Sequence, residues 1–303
     1  IPKDAIIQNI YFVDDNQINI KDKILESTFY KVSEDKKGAQ NSLLNKNFEQ
    51  EKFTIMTWNI WHGGRRNGLE KGIEQVVTAI KNAGVDILCM QETYGSGPLI
   101  SDALGTIFYY RSSNLSIHSK YEIIDTYDMY ESFSFGGVRI KIKEKLIDVF
   151  TLWINYLPST SYLYDSVSVE KIINDENETR GKEIKEIIEC IRNNSDLNTN
   201  LPLIVGGDFN SPSHLDWGEN MKSSHRNLVI EWPVSKSMID FGFQDSFRIR
   251  SPLPNYNLGT TWSSLYPDRL QNRIDYLYFR GGLRCVNCYV KGFEDLEWPS
   301  DHA

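Results

Sequence analysis

The twelve residues Leu201-Pro-Leu-Ile-Val-Gly-Gly-Asp-Phe-Asn-Ser-Pro212 constrain the fold of this chain more than any other stretch. The apolar run is short, and Gly206 and Gly207 end it, which is typical of a buried β-strand that opens into a loop. Asp208 and Asn210 are two residues apart, so in an extended chain their side chains point to the same side. A carboxylate beside an amide suits a phosphate and its attacking water. An Asx turn that only satisfies the local backbone is the alternative interpretation.

The order of the other elements predicts an α/β protein. Residues 53–60 and 85–90 are apolar runs separated by a helical pattern over residues 69–82, which forms a strand–helix–strand unit. Short strand-like runs dominate residues 107–157, and four more follow from residue 243 onwards. Residues 178–192 carry isoleucines on one face of an amphipathic helix. We therefore expect two mixed sheets packed face to face and flanked by helices, in a four-layer α/β-sandwich.

Residues 1–50 differ from the rest of the chain. A strand-like run over residues 5–13 precedes Asp14 and Asp15, which predicts a hairpin, and residues 33–50 are polar and charged. We expect a small N-terminal β extension with a linker over residues 1–50, and one large domain over residues 51–303. The chain begins at Ile1 without a methionine, which indicates a processed or trimmed form, either secreted or cytoplasmic.

Composition excludes several classes of protein. Hydrophobic residues make up 40% of the chain, enough for a core of useful size, and no apolar run reaches the roughly 20 residues that span a bilayer. The net charge of −8 gives no general attraction to nucleic acid or anionic lipid. Cys285 and Cys288 lack two further ligands nearby, which favours ordinary thiols over a zinc site. Oligomeric state leaves no signal in the sequence.

Polar clusters stand at the ends of five predicted strands. In chain order they are Thr57-Trp-Asn-Ile60, Met90-Gln-Glu-Thr93, Gly207-Asp-Phe-Asn-Ser211, Arg273-Ile-Asp-Tyr276 and Ser300-Asp-His302. Each cluster alone is weak, but the ordered set is specific. It resembles the endonuclease/exonuclease/phosphatase superfamily, the group of pancreatic deoxyribonuclease, exonuclease III, bacterial neutral sphingomyelinases and inositol polyphosphate 5-phosphatases. The resemblance covers about residues 53–303, and since family members usually carry a further strand, it implies that one follows Ala303.

The resemblance implies a divalent-metal site at Glu92. Glu92 corresponds to the principal metal ligand of the family, Asn59 lies beside that ligand, and Asp301 completes the metal shell. Carboxylate and amide oxygens without a Cys or His cluster favour Mg²⁺ or Mn²⁺. Each carboxylate also has a purely structural interpretation, since Glu92 after a strand suits the start of a helix.

The resemblance also implies the catalytic groups. Asp208 corresponds to the carboxylate that orients or deprotonates the water, and Asn210 to the amide that holds the phosphate. His302 corresponds to the imidazolium that binds the phosphate, with Asp275 as the carboxylate that raises its pKa. The competing interpretation pairs Asp275 with Arg273 in a structural ion pair.

One position departs from the family pattern. Many members carry a histidine by the phosphate where this chain has Trp153. A second register, similar to the abasic-site nucleases, instead matches Tyr156-Leu157-Pro158 and makes Tyr156 the catalytic phenol. A Tyr hydroxyl donates to phosphate or to a leaving oxygen, whereas a Trp indole offers one N–H. Both registers remain open here, with Tyr156 preferred.

The resemblance implies that the ligand is a phosphate ester, and three interpretations of the activity remain. The first is a metal-dependent phosphodiesterase or phosphatase, the second a nuclease on DNA or RNA, and the third a catalytically weak phosphate-binding module. The absence of a basic stripe disfavours a processive nuclease. His62, His214 and Trp217 are candidate substrate contacts; the alternative for Trp217 is that it packs an insertion onto the core.

Overall fold

The structure is a computed structural model of the chain. It describes residues 51–158, 167–194, 197, 201–263, 265–266, 269–291 and 298–303, together with the backbone of residues 3–12 and 292. The predicted hairpin turn at Asp14 and Asp15 and the polar stretch over residues 33–50, predicted as a linker, lie outside the described residues.

The first sheet contains six strands in the order β12-β1-β2-β3-β5-β4. Only β2 and β3 run parallel to each other; the other pairs are antiparallel. Its strands are β1 (Lys3–Phe12), β2 (Lys52–Asn59), β3 (Ile87–Gln91), β4 (Ile107–Tyr110), β5 (Ser116–Ser119) and β12 (Leu283–Gly292). The predicted strand–helix–strand unit is confirmed, because a helix joins the parallel neighbours β2 and β3.

The second sheet also contains six strands, in the order β10-β11-β9-β8-β7-β6. Here β8 and β9 are the parallel pair, and the remaining pairs are antiparallel. Its strands are β6 (Glu122–Tyr127), β7 (Phe135–Ile142), β8 (Lys145–Trp153), β9 (Leu203–Asp208), β10 (Gln244–Asp245) and β11 (Asp275–Arg280). Both sheets are mixed, as the strand patterns predicted.

Six helices of the described residues surround the sheets. They are α1 (Leu69–Ala83), α2 (Gly97–Leu104), α3 (Val169–Glu178), α4 (Arg180–Asn193), α5 (Pro233–Asp240) and α6 (Ser246–Arg250). Of these, α3 packs on α4 and α5, and α6 contacts β11 and β12 and places Phe247 in the core between the sheets. The apolar face of α1 packs on the first sheet, and the isoleucine face of α4 packs on the second. None of the described helices is long and apolar enough to cross a bilayer.

The main core lies between the sheets. Buried side chains of the first sheet, such as Ile55 and Cys89, pack against Val149, Ile204 and Leu277 of the second. Strands that are covered on both faces need continuous apolar runs rather than alternation, which explains the pattern at residues 203–205. The predicted α/β-sandwich is therefore the observed fold.

Two predictions from the sequence are wrong in detail. Lys3–Phe12 is not a separate extension, because β1 pairs with β2 on one side and β12 on the other, inside the first sheet. Backbone hydrogen bonding to both neighbours has no signature in a local apolar pattern. Residues 243–248 were predicted as one strand, but β10 covers two residues. Asp245 then caps α6 by accepting bonds from the N–H groups of Phe247 and Arg248.

We expect Gly207→Ala to destabilise the fold. A Cβ atom at Gly207 would lie 2.2 Å from the carbonyl oxygen of Leu152 on β8, and backbone cannot move aside as a side-chain tip can. Overpacking of this kind lowers the free energy of unfolding by about 1–3 kcal/mol or more. Urea titration of the variant measures the loss. The control is Gly218→Ala, where the nearest atom is the side-chain oxygen of Asn220 at 3.2 Å. Equal stability of the two variants would contradict the close packing of β8 on β9.

Candidate active site

Both parallel strand pairs end at one rim of the sandwich. Asn59 is the last residue of β2, Glu92 directly follows β3, and Asp208 ends β9. Asp275 begins β11 and pairs with Asp208, since β11 runs antiparallel to β9. The carboxyl ends of parallel strands meet at one edge, so polar residues far apart in sequence converge there. The rim contains a cavity of about 480 Å³.

Asn59 connects the two sheets at the cavity floor. Its Nδ2 donates to Glu92 Oε1 at 3.0 Å and to Asp208 Oδ2 at 3.0 Å. Its Oδ1 accepts from the backbone N–H of Trp61 at 2.9 Å, which fixes the orientation of the amide. The backbone N–H of Glu92 donates to Asn114 Oδ1 at 2.9 Å and helps to hold Glu92 in a left-handed conformation, with φ of 53°. Both carboxylates are therefore aimed into one site.

His302 lies among three carboxylates. Its Nδ1 donates to Asp275 Oδ2 at 2.9 Å, and its Nε2 lies 3.8 Å from Asp208 Oδ2 and from Asp301 Oδ1. Burial alone lowers the pKa of His302, but the negative charges around it, that of Asp275 first, raise this pKa well above the ordinary value. The predicted pairing of His302 with Asp275 is therefore present in the geometry.

The loop that carries His302 is fastened to the first sheet. Ser300 Oγ donates to the backbone oxygen of Asn59 at 2.7 Å and accepts from the His302 N–H at 3.0 Å. Trp298 Nε1 donates to the His302 carbonyl at 2.7 Å. The serine of the Ser-Asp-His motif thus sets the position of the imidazole without touching the cavity.

The Asp208 side chain is fully enclosed. Burial, followed by the charge of Asp275, raises the pKa of Asp208 to about 8, although His302 and the hydrogen bonds from Asn210 and Asn59 act in the opposite direction. The Asn210 N–H donates to Asp208 Oδ1 at 2.9 Å, so the Asx turn predicted as the alternative is present as well. Asn210 Nδ2 also donates to the Ile154 carbonyl at 2.8 Å, which joins this turn to the end of β8.

The donor set fits a divalent cation. One oxygen of Asp301 and one of Asp275 are buried with no hydrogen-bond partner among the described residues, although buried carboxylate oxygens are normally hydrogen-bonded. Asp208, Asp275 and His302 offer ligand atoms within 4.8 Å of one another, but a protonated His302 cannot be a ligand. Burial and the charge of Glu92 are among the causes that raise the pKa of Asp301, while Trp262 Nε1 donates to its other oxygen at 3.0 Å. A cation held by Asp301 and Glu92 would therefore satisfy the free oxygen of Asp301 and offset the repulsion between these two carboxylates.

Most of the predicted site residues come together. Glu92, Asp208, Asn210, Asp301 and His302 line the cavity, and Asn59 and Asp275 contact these residues from behind. The cavity wall also includes His62, Trp153 and Tyr156. Both registers considered for the family's histidine therefore end at the same cavity: Trp153 has a buried Nε1 with no partner, whereas Tyr156 is 52% exposed.

Two predicted substrate contacts are not part of the site. His214 Nδ1 lies 2.8 Å from Ser235 Oγ, and Trp217 is 1% exposed and stacks on His225 with ring centroids 4.0 Å apart. Trp217 and Trp232 pack against α3 in a separate apolar cluster, which is the alternative that the sequence analysis named. An aromatic residue in an irregular insertion has no periodicity that distinguishes packing from binding.

Sequence reasoning missed part of the cavity wall. The residues concerned are Trp61, Tyr94, Trp262, Tyr266 and Arg269. Trp61 and Tyr94 immediately follow two of the recognised motifs. Their position next to these motifs was the one sequence signal that could have placed them at the cavity. Trp262, Tyr266 and Arg269 lie in the segment before β11. Residues 260–262 were predicted as a short strand, and Trp262 forms only isolated bridges to Asn272 and His302.

A buried ion pair supports the cavity from behind. Arg180 Nε donates to Glu176 Oε1 at 2.7 Å, and its Nη1 and Nη2 donate to the carbonyls of Asn155 and Pro158 at 3.3 and 3.0 Å. Glu176 Oε2 accepts from Ser211 Oγ at 3.0 Å. The pair thus joins the segment that carries Tyr156 to the turn that carries Asn210, and both charged side chains are completely buried.

Together the fold and the site define a metal-dependent phosphoesterase. The sequence model of the Endonuclease/Exonuclease/phosphatase family matches residues 56–302, and the chain belongs to this family. Caenorhabditis elegans protein F14F9.5 is 29% identical over 253 residues, which are 75% of this chain and 78% of that protein.

Solved structures share the fold at low sequence identity. An AP endonuclease from Archaeoglobus fulgidus is 20% identical with a TM-score of 0.55, and the match covers 82% of this chain and 95% of that one. A humanized D. rerio TDP2 is 14% identical with a TM-score of 0.57, and the match covers 82% and 94% of the two chains. At these identities the likeness extends to the fold alone.

We expect Asp275→Asn to lower the pKa of His302. A group whose pKa is raised on folding stabilises the folded state below its unfolded pKa, near 6.5, and loses that contribution as pH rises through the folded value. The variant should therefore be less stable than the wild type at low pH, and the difference in the free energy of unfolding should shrink as pH rises. The His302 imidazole shift, followed by NMR against pH in metal-free protein, measures the change.

His118 is the internal reference for this titration, because burial lowers its pKa to about 4 and it lies in another part of the first sheet. An unchanged His302 titration in the variant would show that Asp275 is not the partner that keeps the imidazole charged.

We expect Arg180→Met to destabilise the protein by about 3–5 kcal/mol, because it leaves the buried Glu176 carboxylate without its partner. Lys171→Met is the matched control: it removes an exposed i,i+4 pair from the same region of α3, worth about 0.2–1 kcal/mol. The double variant Glu176→Leu, Arg180→Met should recover stability, because apolar replacement of both charges removes the stranded one. Urea unfolding measures all three, and a loss in Arg180→Met no larger than the control refutes the buried pair.

Proposed function

We propose that this protein hydrolyses a phosphodiester with the help of Mg²⁺ or Mn²⁺. The observation that carries the proposal is the convergence of Glu92, Asp208, Asp301 and a charged His302 at one cavity. Hard oxygen ligands without thiolates match these two ions. Glu92, Asn59 and Asp301 would hold the cation, which when bound supplies a Lewis acid for a phosphoryl oxygen.

Asp208 is the group that accepts the proton of the attacking water. Burial and the charge of Asp275 raise the pKa of Asp208 above that of an ordinary aspartate, which makes its carboxylate a stronger base. The Asn210 amide, fixed by the Ile154 carbonyl, orients the phosphate and the water from the neighbouring turn. The enclosed floor excludes competing solvent around both side chains.

His302 stabilises the crowded negative charge at phosphorus. Asp275 keeps the imidazole protonated and orients it through Nδ1, which leaves Nε2 to face the cavity. Tyr156 is the preferred donor to the phosphate or to the leaving oxygen, because its exposed phenol lies on the cavity wall. Trp153 lies behind it, with ring centroids 6.2 Å apart, and forms part of the same wall.

A nuclease is the second candidate. Its support is the fold similarity to an AP endonuclease and to D. rerio TDP2. A structure of D. rerio TDP2 has also been solved in complex with a single-strand DNA product. The net charge of −8 argues against tight binding of a long duplex, whose affinity derives from many phosphate contacts. The two candidates share the same chemistry and differ in the length of the substrate.

Metal dependence and one substitution test the proposal. We expect hydrolysis of at least one ester in a panel of plasmid DNA, RNA, sphingomyelin and aryl phosphate mono- and diesters, with Mg²⁺ or Mn²⁺ present and none after exhaustive EDTA. Glu92→Gln should raise the metal concentration needed for half-maximal rate about tenfold or more, since it removes a ligand charge. Glu219→Gln, at a side chain 77% exposed and remote from the cavity, is the control. Full activity in EDTA would refute the metal mechanism.

A further inference from the structure

Aromatic rings make up a large part of the cavity wall. Among the described residues, seven ring-bearing side chains line it, namely Trp61, His62, Tyr94, Trp153, Tyr156, Trp262 and Tyr266. None of the seven is buried, so their faces and edges remain available to a ligand. Clustered aromatic surface that stays open to solvent is typical of binding sites, because a large apolar area is otherwise covered on folding.

The rings come from both sheets. Trp61, His62 and Tyr94 follow strands of the first sheet and form a chain of contacts, with centroid distances of 5.0 and 6.0 Å. Trp153 and Tyr156 follow β8 of the second sheet. The acidic floor lies where these walls meet, so a ligand whose phosphate reaches the floor has rings from both sheets beside it.

A further ring group lies in the loop before β11. Tyr266 lies 6.1 Å from Trp262, and the Arg269 guanidinium stands 4.1 Å from the Tyr266 ring centroid. Trp262 also donates to Asp301, one of the residues assigned to the cation. This ring group is therefore tied directly to the phosphate end of the cavity.

The charges of the cavity suit one phosphate. Among the described lining residues, Arg269 is positive, and Glu92, Asp208 and Asp301 are negative. A divalent cation would bring the sum of these four charges from −2 to zero, so the cavity has no surplus of positive charge for a second phosphate. A polyphosphate or a long duplex would need many more cations along its path.

We propose that the site takes a short phosphodiester whose single phosphate is flanked by flat aromatic rings, as in a dinucleoside monophosphate or the end of a single strand. This inference rests on the proposed function for the position of the phosphate. The aromatic walls are the basis for the flat rings on either side of it. Stacking recognises any flat ring, because every base has an aromatic face, so the site selects shape over base sequence. A volume of about 480 Å³ lies within the range of small-molecule sites.

Binding without turnover tests this proposal. Intrinsic tryptophan fluorescence, from a cavity lined by Trp61 and Trp262, is titrated with dithymidine monophosphate, diphenyl phosphate and diethyl phosphate. The titration uses the Asp208→Asn variant with Mg²⁺ present, because this variant lacks the proposed base and keeps the proposed metal ligands. We expect both aromatic diesters to bind about tenfold or more tightly than diethyl phosphate. Comparing the affinities for dithymidine monophosphate and diphenyl phosphate shows whether the site prefers a nucleoside or a plain aryl ring. Equal affinity for all three diesters overturns the proposal.

Substitutions locate the binding to the rings. Tyr94→Ala and Tyr266→Ala should each raise the Kd for dithymidine monophosphate about tenfold and leave diethyl phosphate unchanged, whereas the Tyr→Phe variants keep the affinity. Tyr256→Ala is the control, at a side chain 82% exposed and outside the cavity. Wild-type affinity in both alanine variants overturns the proposal.

The salt dependence of the Kd distinguishes contact with one phosphate from contact with many. For a single neutralised phosphate, the Kd should change only about threefold between 50 and 200 mM salt. A change of a hundredfold or more would indicate a polyanion track and overturn the proposal. If the aromatic diesters bind but no ester is hydrolysed with Mg²⁺ or Mn²⁺, the proposed function fails and the ring selectivity stands. If an ester is hydrolysed but the aromatic diesters bind no more tightly than diethyl phosphate, the ring selectivity fails and the proposed function stands.

Discussion

Charge balance at the rim of the sandwich is the constraint on which the rest of the structure depends. Asp208, Asp275 and Asp301 surround one imidazole in a space with little solvent, and like charges in such a space repel strongly unless a cation offsets them. His302 supplies one positive charge, and the oxygen of Asp301 that has no partner among the described residues marks where another is needed. The hydrogen bonds from Asn59 and the Ser300 loop hold these groups at fixed distances.

The sheets supply that rigidity through close packing. Gly207 lets β9 lie against β8 without a side chain between the strands, so Asp208 leaves the sheet at a fixed point. The pair Glu176 and Arg180 then fixes the two loops that follow these strands. Groups placed on strand ends and supported by buried hydrogen bonds, as the proposed catalytic residues are, reach their geometry before a ligand arrives.

The sequence predicted those parts of the molecule that have a local signature. Apolar runs placed most strands, and the isoleucine face placed α4. The ordered motifs placed Glu92, Asp208, Asp275 and His302 at one site. Long-range pairing left no such signature: the insertion of β1 between β2 and β12 depends on backbone hydrogen bonds, which any apolar strand can form. The burial of Trp217 and the exposure of Tyr266 likewise depend on what surrounds each ring in three dimensions.

The position of β1 has a consequence for how the molecule is assembled. Lys3–Phe12 separates β2 from β12, so the last strand of the first sheet is attached to the domain through the first. During synthesis the outer edge of β1 has no partner until residues 283–292 have left the ribosome, and closing so long a loop is entropically slow. Pairing of β12 with β1 is therefore a late event in folding, and it coincides with the arrival of Ser300, Asp301 and His302 at the rim. A chain in which β12 has not yet paired also lacks the imidazole at the rim, so the site forms together with this part of the sheet.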